Sequence, residues 1–147
     1  MSEEFIQRQL DKNVPQIGKW NFYNIGSTTI KSLKAHGVIS NVDYGKCEYK
    51  KVDSLIVLNK DVIAVVEFKD YAKLVNDKQV SEAIEQELET ARAIDALIYI
   101  VTNAKKTIWI NPKTGKRIKT ETINCYPTLL ITLMKSCQDL LKIYYPL

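Results

Sequence analysis

From Leu55 to Val66 every position is apolar except Asn59-Lys60-Asp61. Two runs of branched residues on either side of turn-forming residues predict a β-hairpin, with strands over Val52–Leu58 and Val62–Phe68. Both strands are apolar on both faces, so the hairpin belongs in mid-sheet, covered on both sides. Taking Lys60 as the midpoint of a three-residue turn places Leu58 opposite Val62 and Asp53 opposite Glu67.

The pattern elsewhere is mostly helical. Residues 2 to 12 predict a helix capped by Ser2, with Glu3 and Glu4 in its first turn and Phe5, Ile6 and Leu10 on one face. Trp20, Phe22, Tyr23 and Ile25 suit a short strand or a packed loop. Ser27 to Ala35 predicts a second helix, capped by Ser27 or Thr28 and stopped by Gly37. Val38, Ile39 and Tyr44 then lead into an edge strand, with Gly45 as a turn. Residues 77 to 95 predict a long helix in which Val80, Ala83, Ile84, Glu87 and Leu88 mix an apolar stripe with an acidic outer face. Ala96 to Thr102 is a buried strand reached by that helix, so it should run parallel to Val62–Phe68. Thr107–Asn111 and Lys116–Thr120 form a second hairpin around Pro112-Lys113-Thr114-Gly115. Thr128 to Tyr144 is an apolar helix. The alternation does not decide whether Trp109 is core or a stacking surface. The succession of elements is that of an α/β sandwich, a mixed central β-sheet flanked by helices.

Composition narrows this little. A chain of 147 residues is the size of one domain, and 46% hydrophobic content is enough for one core. The net charge of +4 is compatible with nucleic acid without requiring it. Three cysteines, Cys47, Cys125 and Cys137, fit neither a disulfide framework nor a paired metal motif. His36 is the only histidine and has no catalytic motif around it. The first residues lack a basic segment ahead of an apolar stretch, and no apolar run nears the ~20 residues of a membrane span. The expectation is a soluble, cytoplasmic protein without a membrane partner.

The chemistry lies at the open end of the first hairpin. Opposed strand residues have Cβ atoms about 5 Å apart, so Asp53 and Glu67 would repel each other. A divalent cation turns that repulsion into attraction. Side chains two apart on a strand share a face, which puts Lys69 beside Glu67. Carboxylates hold a hard ion such as Mg²⁺ through oxygen, and an ammonium can position water or neutralise a phosphate. Glu-x-Lys alone is common at strand ends. It gains weight here because the two charges close a very apolar strand.

Lys51-Val52-Asp53-Ser54-Leu55-Ile56-Val57 followed by Val62-Ile63-Ala64-Val65-Val66-Glu67-Phe68-Lys69 resembles the core of the PD-(D/E)xK nucleases. The likeness is greatest to the N-terminal nuclease domains of type I restriction enzyme motor (R) subunits. It spans residues 1 to 105 and is most specific from 51 to 69. Val52 stands where the motif has proline.

The resemblance implies a three-layer restriction-endonuclease-like core forming one domain over 1–147. It also implies a Mg²⁺-dependent DNA endonuclease, with Mn²⁺ able to substitute. By resemblance Asp53 and Glu67 bind metal and Lys69 is catalytic. Glu4 corresponds to a metal-site glutamate on the first helix, with Glu3 as competitor; both also suit a helix N-terminus. Gln79 corresponds to a glutamine on the following helix, with Gln86 second. The tyrosine expected four residues after it is absent from both places.

Lys50, Lys51, Lys105 and Lys106 are candidate DNA phosphate contacts, alongside Lys113, Lys116, Arg117 and Lys119. A motor, methyltransferase or specificity function would lie in another subunit or in a further C-terminal portion. The competing functions are a non-catalytic DNA-binding or assembly module of the same fold and a junction or repair nuclease.

Overall fold

The computed structural model describes residues 16–24, 26, 28–70, 72–122 and 129–144. The helix expected over residues 2 to 12, with Glu3 and Glu4, lies outside them, as does Cys125. The elements in chain order are β1 (Gln16–Ile17), β2 (Trp20–Asn24), α1 (Ile30–Ala35), a 3₁₀ turn (Gly45–Tyr49), β3 (Ser54–Leu58), β4 (Asp61–Phe68), α2 (Asp77–Ala93), β5 (Ile98–Thr102), β6 (Lys106–Ile110), β7 (Arg117–Thr122) and α3 (Leu129–Tyr144).

The strands form one mixed sheet in the order β1-β2-β3-β4-β5-β6-β7. β4 and β5 are parallel, as the helical crossover between them requires, and the remaining neighbours are antiparallel. The first hairpin therefore sits at the centre, as its two-sided apolar pattern predicts.

Its turn differs from the expected one. Leu58 pairs with Asp61, so the loop has two residues, Asn59 and Lys60, both with positive φ. That is the primed turn whose twist matches the flanking strands. Val57 pairs with Val62 and Ile56 with Ala64, leaving Ile63 as a bulged residue. Ile63 and Ala64 consequently both pack on the same face of the sheet. The bulge adds back the residue that the shorter turn removed. Ser54 thus pairs with Val66, and Asp53 comes next, at the level of Glu67.

The two faces of the sheet carry separate apolar layers. One joins Ile56, Ala64, Val66, Phe68, Ile100 and Trp109 to Leu133, Met134 and Cys137 of α3. Trp109 is core: it is fully buried, and its indole N–H donates to Glu121 Oε1 at 2.9 Å. The other layer joins Leu55, Val57, Val65, Tyr99 and Val101 to Ile30 and Leu33 of α1 and Val80, Ala83 and Ala91 of α2. Among the described residues no helix is long and apolar enough to cross a membrane.

Two expectations before the hairpin are corrected. The helix starts at Ile30 and its cap is Thr29, whose side chain accepts from Ser32 N, instead of Ser27 or Thr28. No edge strand follows Val38. Gly45 to Tyr49 instead forms the 3₁₀ turn, fastened to α1 by a Lys34–Glu48 ion pair at 2.9 Å. Its short polar sequence has no alternation that a ladder could use, and β1 and β2 occupy that side of the sheet.

Candidate active site

β3 and β4 bring Asp53, Glu67 and Lys69 together at one end of the sheet. Alternation along β4 places Glu67 on the α2 face with Val65, while Val66 and Phe68 look to the α3 face. Glu67 is 4% exposed and Lys69 7%. The Asp53 side chain turns back over the hairpin, and its Oδ2 accepts the backbone N–H of Phe68 at 2.8 Å. Lys69 N donates to Thr102 O at 2.8 Å, tying the end of β4 to β5. This is the carboxyl end of the two parallel strands, where open α/β sheets form their ligand crevices.

Burial, then the Asp53 charge, then the Glu87 charge push the Glu67 carboxyl up to about 9; Lys69 pulls the other way. Glu67 also shares a hydrogen bond with Asp53. Without a cation the pair therefore holds a proton at neutral pH. Burial, followed by the Glu67 charge, also raises the Tyr99 hydroxyl above its usual range. That hydroxyl keeps its proton and donates a hydrogen bond to Ala83 O at 3.1 Å.

The Lys69 ammonium donates to Gln86 Oε1 on α2. Lys69, Lys73, Gln79, Glu82, Ala83 and Gln86 line a cleft of about 290 Å³. Gln79 lines it as well, but its side chain serves the helix start. Its Oε1 accepts from Val75 N at 2.9 Å, and its own N–H donates to Asn76 Oδ1 at 2.9 Å. Asn76 and Gln79 are thus the two halves of a capping box. Of the two glutamines weighed from the sequence, Gln86 is the one that meets the lysine.

Glu87 was passed over in the sequence. Its charge acts on Glu67, and its Oε2 is buried without a hydrogen-bond partner. The helix pattern puts acids on the outer face, whereas Glu87, seven residues after the buried Val80, turns toward the sheet.

Among the described residues no cluster of three or more His, Cys, Asp or Glu is arranged to hold a metal. The donor set is the Asp53–Glu67 pair, with Glu87 as an orphaned carboxylate near it and Glu4 outside the described residues. Two carboxylates suit Mg²⁺, which keeps several waters and uses substrate phosphate as a further ligand. They do not suit a closed all-protein cage.

The basic candidates divide by sheet end. Lys50 and Lys51 are exposed immediately before Asp53. Lys105 is exposed in the loop after β5, at the same end. Lys106 is there too, but its Nζ donates to Leu74 O at 3.2 Å and braces the loop before α2. The Pro112–Gly115 turn, with Lys113 and Lys116, lies at the opposite end, because β6 runs antiparallel to β5. Lys119 lies over the Trp109 ring at 4.8 Å and pairs with Glu121. His36 is exposed at the C-cap of α1, far along the chain from these carboxylates.

Comparison with protein-family models, with curated proteins and with solved structures gives no match to this chain.

Proposed function

We propose that the chain is a Mg²⁺-dependent DNA endonuclease domain built on a three-layer restriction-endonuclease-like core, acting in restriction or another defence against foreign DNA. One observation carries the reading. A central hairpin brings the Asp53 and Glu67 carboxyls into contact at the open end of a sheet, with a buried lysine two residues on that lines a polar cleft. Charges so buried are costly unless a ligand uses them.

Asp53 and Glu67 would hold the ion. When bound, it supplies Lewis acidity at the scissile phosphate. Lys69 brings a positive charge to that phosphate and orients the attacking water. Gln86 holds the lysine ammonium at one end of its range, which limits the freedom the reaction must remove. Water forms the new P–O bond as the scissile P–O bond breaks, and the proton the water loses ends on the leaving oxygen. Lys50, Lys51 and Lys105 neutralise the DNA backbone without reading sequence. Translocation and sequence choice fall to a motor, methyltransferase or specificity partner.

Supercoiled plasmid with Mg²⁺ or Mn²⁺ tests the reading directly. Nicking that stops in excess chelator is the expected result. Equal nicking in chelator contradicts it, and tight DNA binding with no nicking under either metal would favour a non-catalytic module.

The two glutamines should separate. Gln86→Ala is expected to lower the nicking rate about tenfold with the fold intact, and Gln86→Glu, which keeps an acceptor, to recover part of it. Gln79→Ala should cost about 1 kcal/mol of stability through the lost cap, with a smaller effect on rate. Thermal melts and single-turnover nicking read the two effects separately.

A further inference from the structure

The segment just before Asp53 has a feature that the catalytic cluster does not use. The Tyr49 side chain closes the 3₁₀ turn and is 74% exposed, although it is a large amphipathic ring. The turn is held firmly. Glu48 turns inward to Lys34 and accepts from Tyr44 N at 3.0 Å. Lys50 O accepts from Ile30 N at 3.0 Å, and Lys51 bridges to Thr29.

With Glu48 engaged by Lys34 and Asp43 accepting from Gly45 N at 2.8 Å, the other charges of this segment are basic. Lys46 stands three residues before Tyr49 on the same turn and Lys50 and Lys51 follow it in the chain, all three exposed, while Lys31 of α1 lies over the ring, 5.5 Å from its centroid. The turn packs against both α1 and α2, on the sheet face to which Glu67 and Lys69 belong. An exposed aromatic ring in a lysine-rich segment is what unpaired nucleic acid uses: bases stack on the ring and phosphates meet the charges. Duplex DNA keeps its bases stacked on each other and would use only the lysines.

We propose that Tyr49, flanked by Lys31, Lys46, Lys50 and Lys51, is a stacking platform for a base of single-stranded nucleic acid, feeding an unpaired strand toward the Asp53–Glu67 pair. This names the substrate class of the site and rests on the nuclease reading above.

The test is binding of a fluorescein-labelled twelve-nucleotide oligo(dT), and of a duplex of equal length, to the full chain in excess chelator, read by anisotropy. Because no metal is present, the result does not depend on cleavage. Wild type should prefer the single strand. Tyr49→Ala should weaken single-strand binding about tenfold and leave the duplex nearly unchanged, whereas Tyr49→Phe retains the preference. Near-wild-type thermal melts of both variants establish that the exposed position left the fold intact. Unchanged single-strand binding in Tyr49→Ala, or an equal loss for duplex and single strand, overturns the platform. Plasmid nicking alongside separates the two ideas. Nicking without Tyr49-dependent binding sinks the platform alone. Tyr49-dependent binding with no metal-dependent nicking sinks the nuclease reading and the feeding role with it, leaving a single-strand binding site at Tyr49.

Discussion

Asp53→Ala should abolish Mg²⁺-dependent nicking, by about a thousandfold or more, and abolish metal binding with it. Lys69→Met should lose nicking by roughly 10²–10³ yet still bind the ion. The split follows from where each side chain sits. Asp53 is one of two oxygen donors at the end of the hairpin, and Mg²⁺ held by so few protein groups cannot spare one. Lys69 contributes charge to the reacting phosphate, and removing a preorganised charge of this kind costs roughly 10²–10³ in rate. Its buried stem packs under α2, so methionine keeps the shape while removing the ammonium. Nicking rates with calorimetric metal titrations on both variants check the pattern. Full activity in either variant, or loss of metal binding in Lys69→Met alone, would contradict these roles.

The second large effect is on stability, and its sign is opposite to that of most core changes. Folding raises the Glu67 carboxyl from an ordinary 4.5 to about 9, because burial and the Asp53 charge oppose ionisation. Between these limits the folded chain binds a proton that the unfolded chain has released, so stability falls as pH rises. The favourable contribution is complete below about pH 4.5 and is lost as pH climbs toward 9. The slope is at most about 1.4 kcal/mol per pH unit. Metal-free wild type should therefore lose roughly 2–3 kcal/mol between pH 6 and pH 8. Glu67→Gln cannot ionise and should show a flatter profile, melting above wild type at pH 8 without metal. Mg²⁺ should raise the wild-type melting temperature at pH 8 and leave Glu67→Gln where it is. A wild-type stability that rises from pH 6 to pH 8 in chelator would refute the buried-acid account.

Much of this site was legible because the hairpin is so apolar. An unbroken branched run marks central strands, and charges at its end then stand out. The Asp53–Glu67 pairing was nonetheless reached through a turn that does not form. The Asn59-Lys60 turn is one residue shorter than expected, and the bulge at Ile63 restores the count. A bulge inside a uniformly apolar strand leaves no trace in the pattern, since either face accepts the same residues. The segment from Val38 to Tyr49 was misjudged for a related reason. A five-residue 3₁₀ turn is too short to show a period, and tertiary ties such as Lys34–Glu48 decide its course.

The glutamines show how a local motif can outrank a distant one. Asn76 and Gln79 stand three apart just before an apolar stripe, the spacing of a capping box, and that signal was present in the chain. Gln86 carries no such mark. Its meeting with Lys69 depends on how α2 crosses β4, which no local pattern encodes. Tyr49 is likewise silent in sequence, because exposure of a single aromatic residue follows from the turn that presents it.

Calorimetric titration of Mg²⁺ and Mn²⁺ into wild type and Asp53→Ala, with a short DNA present as co-ligand, decides whether Asp53 and Glu67 form a divalent-cation site. Binding to wild type and none to Asp53→Ala is the expected result. Equal binding to the two proteins, or none to either, would reduce the pair to strand-end charges and contradict it.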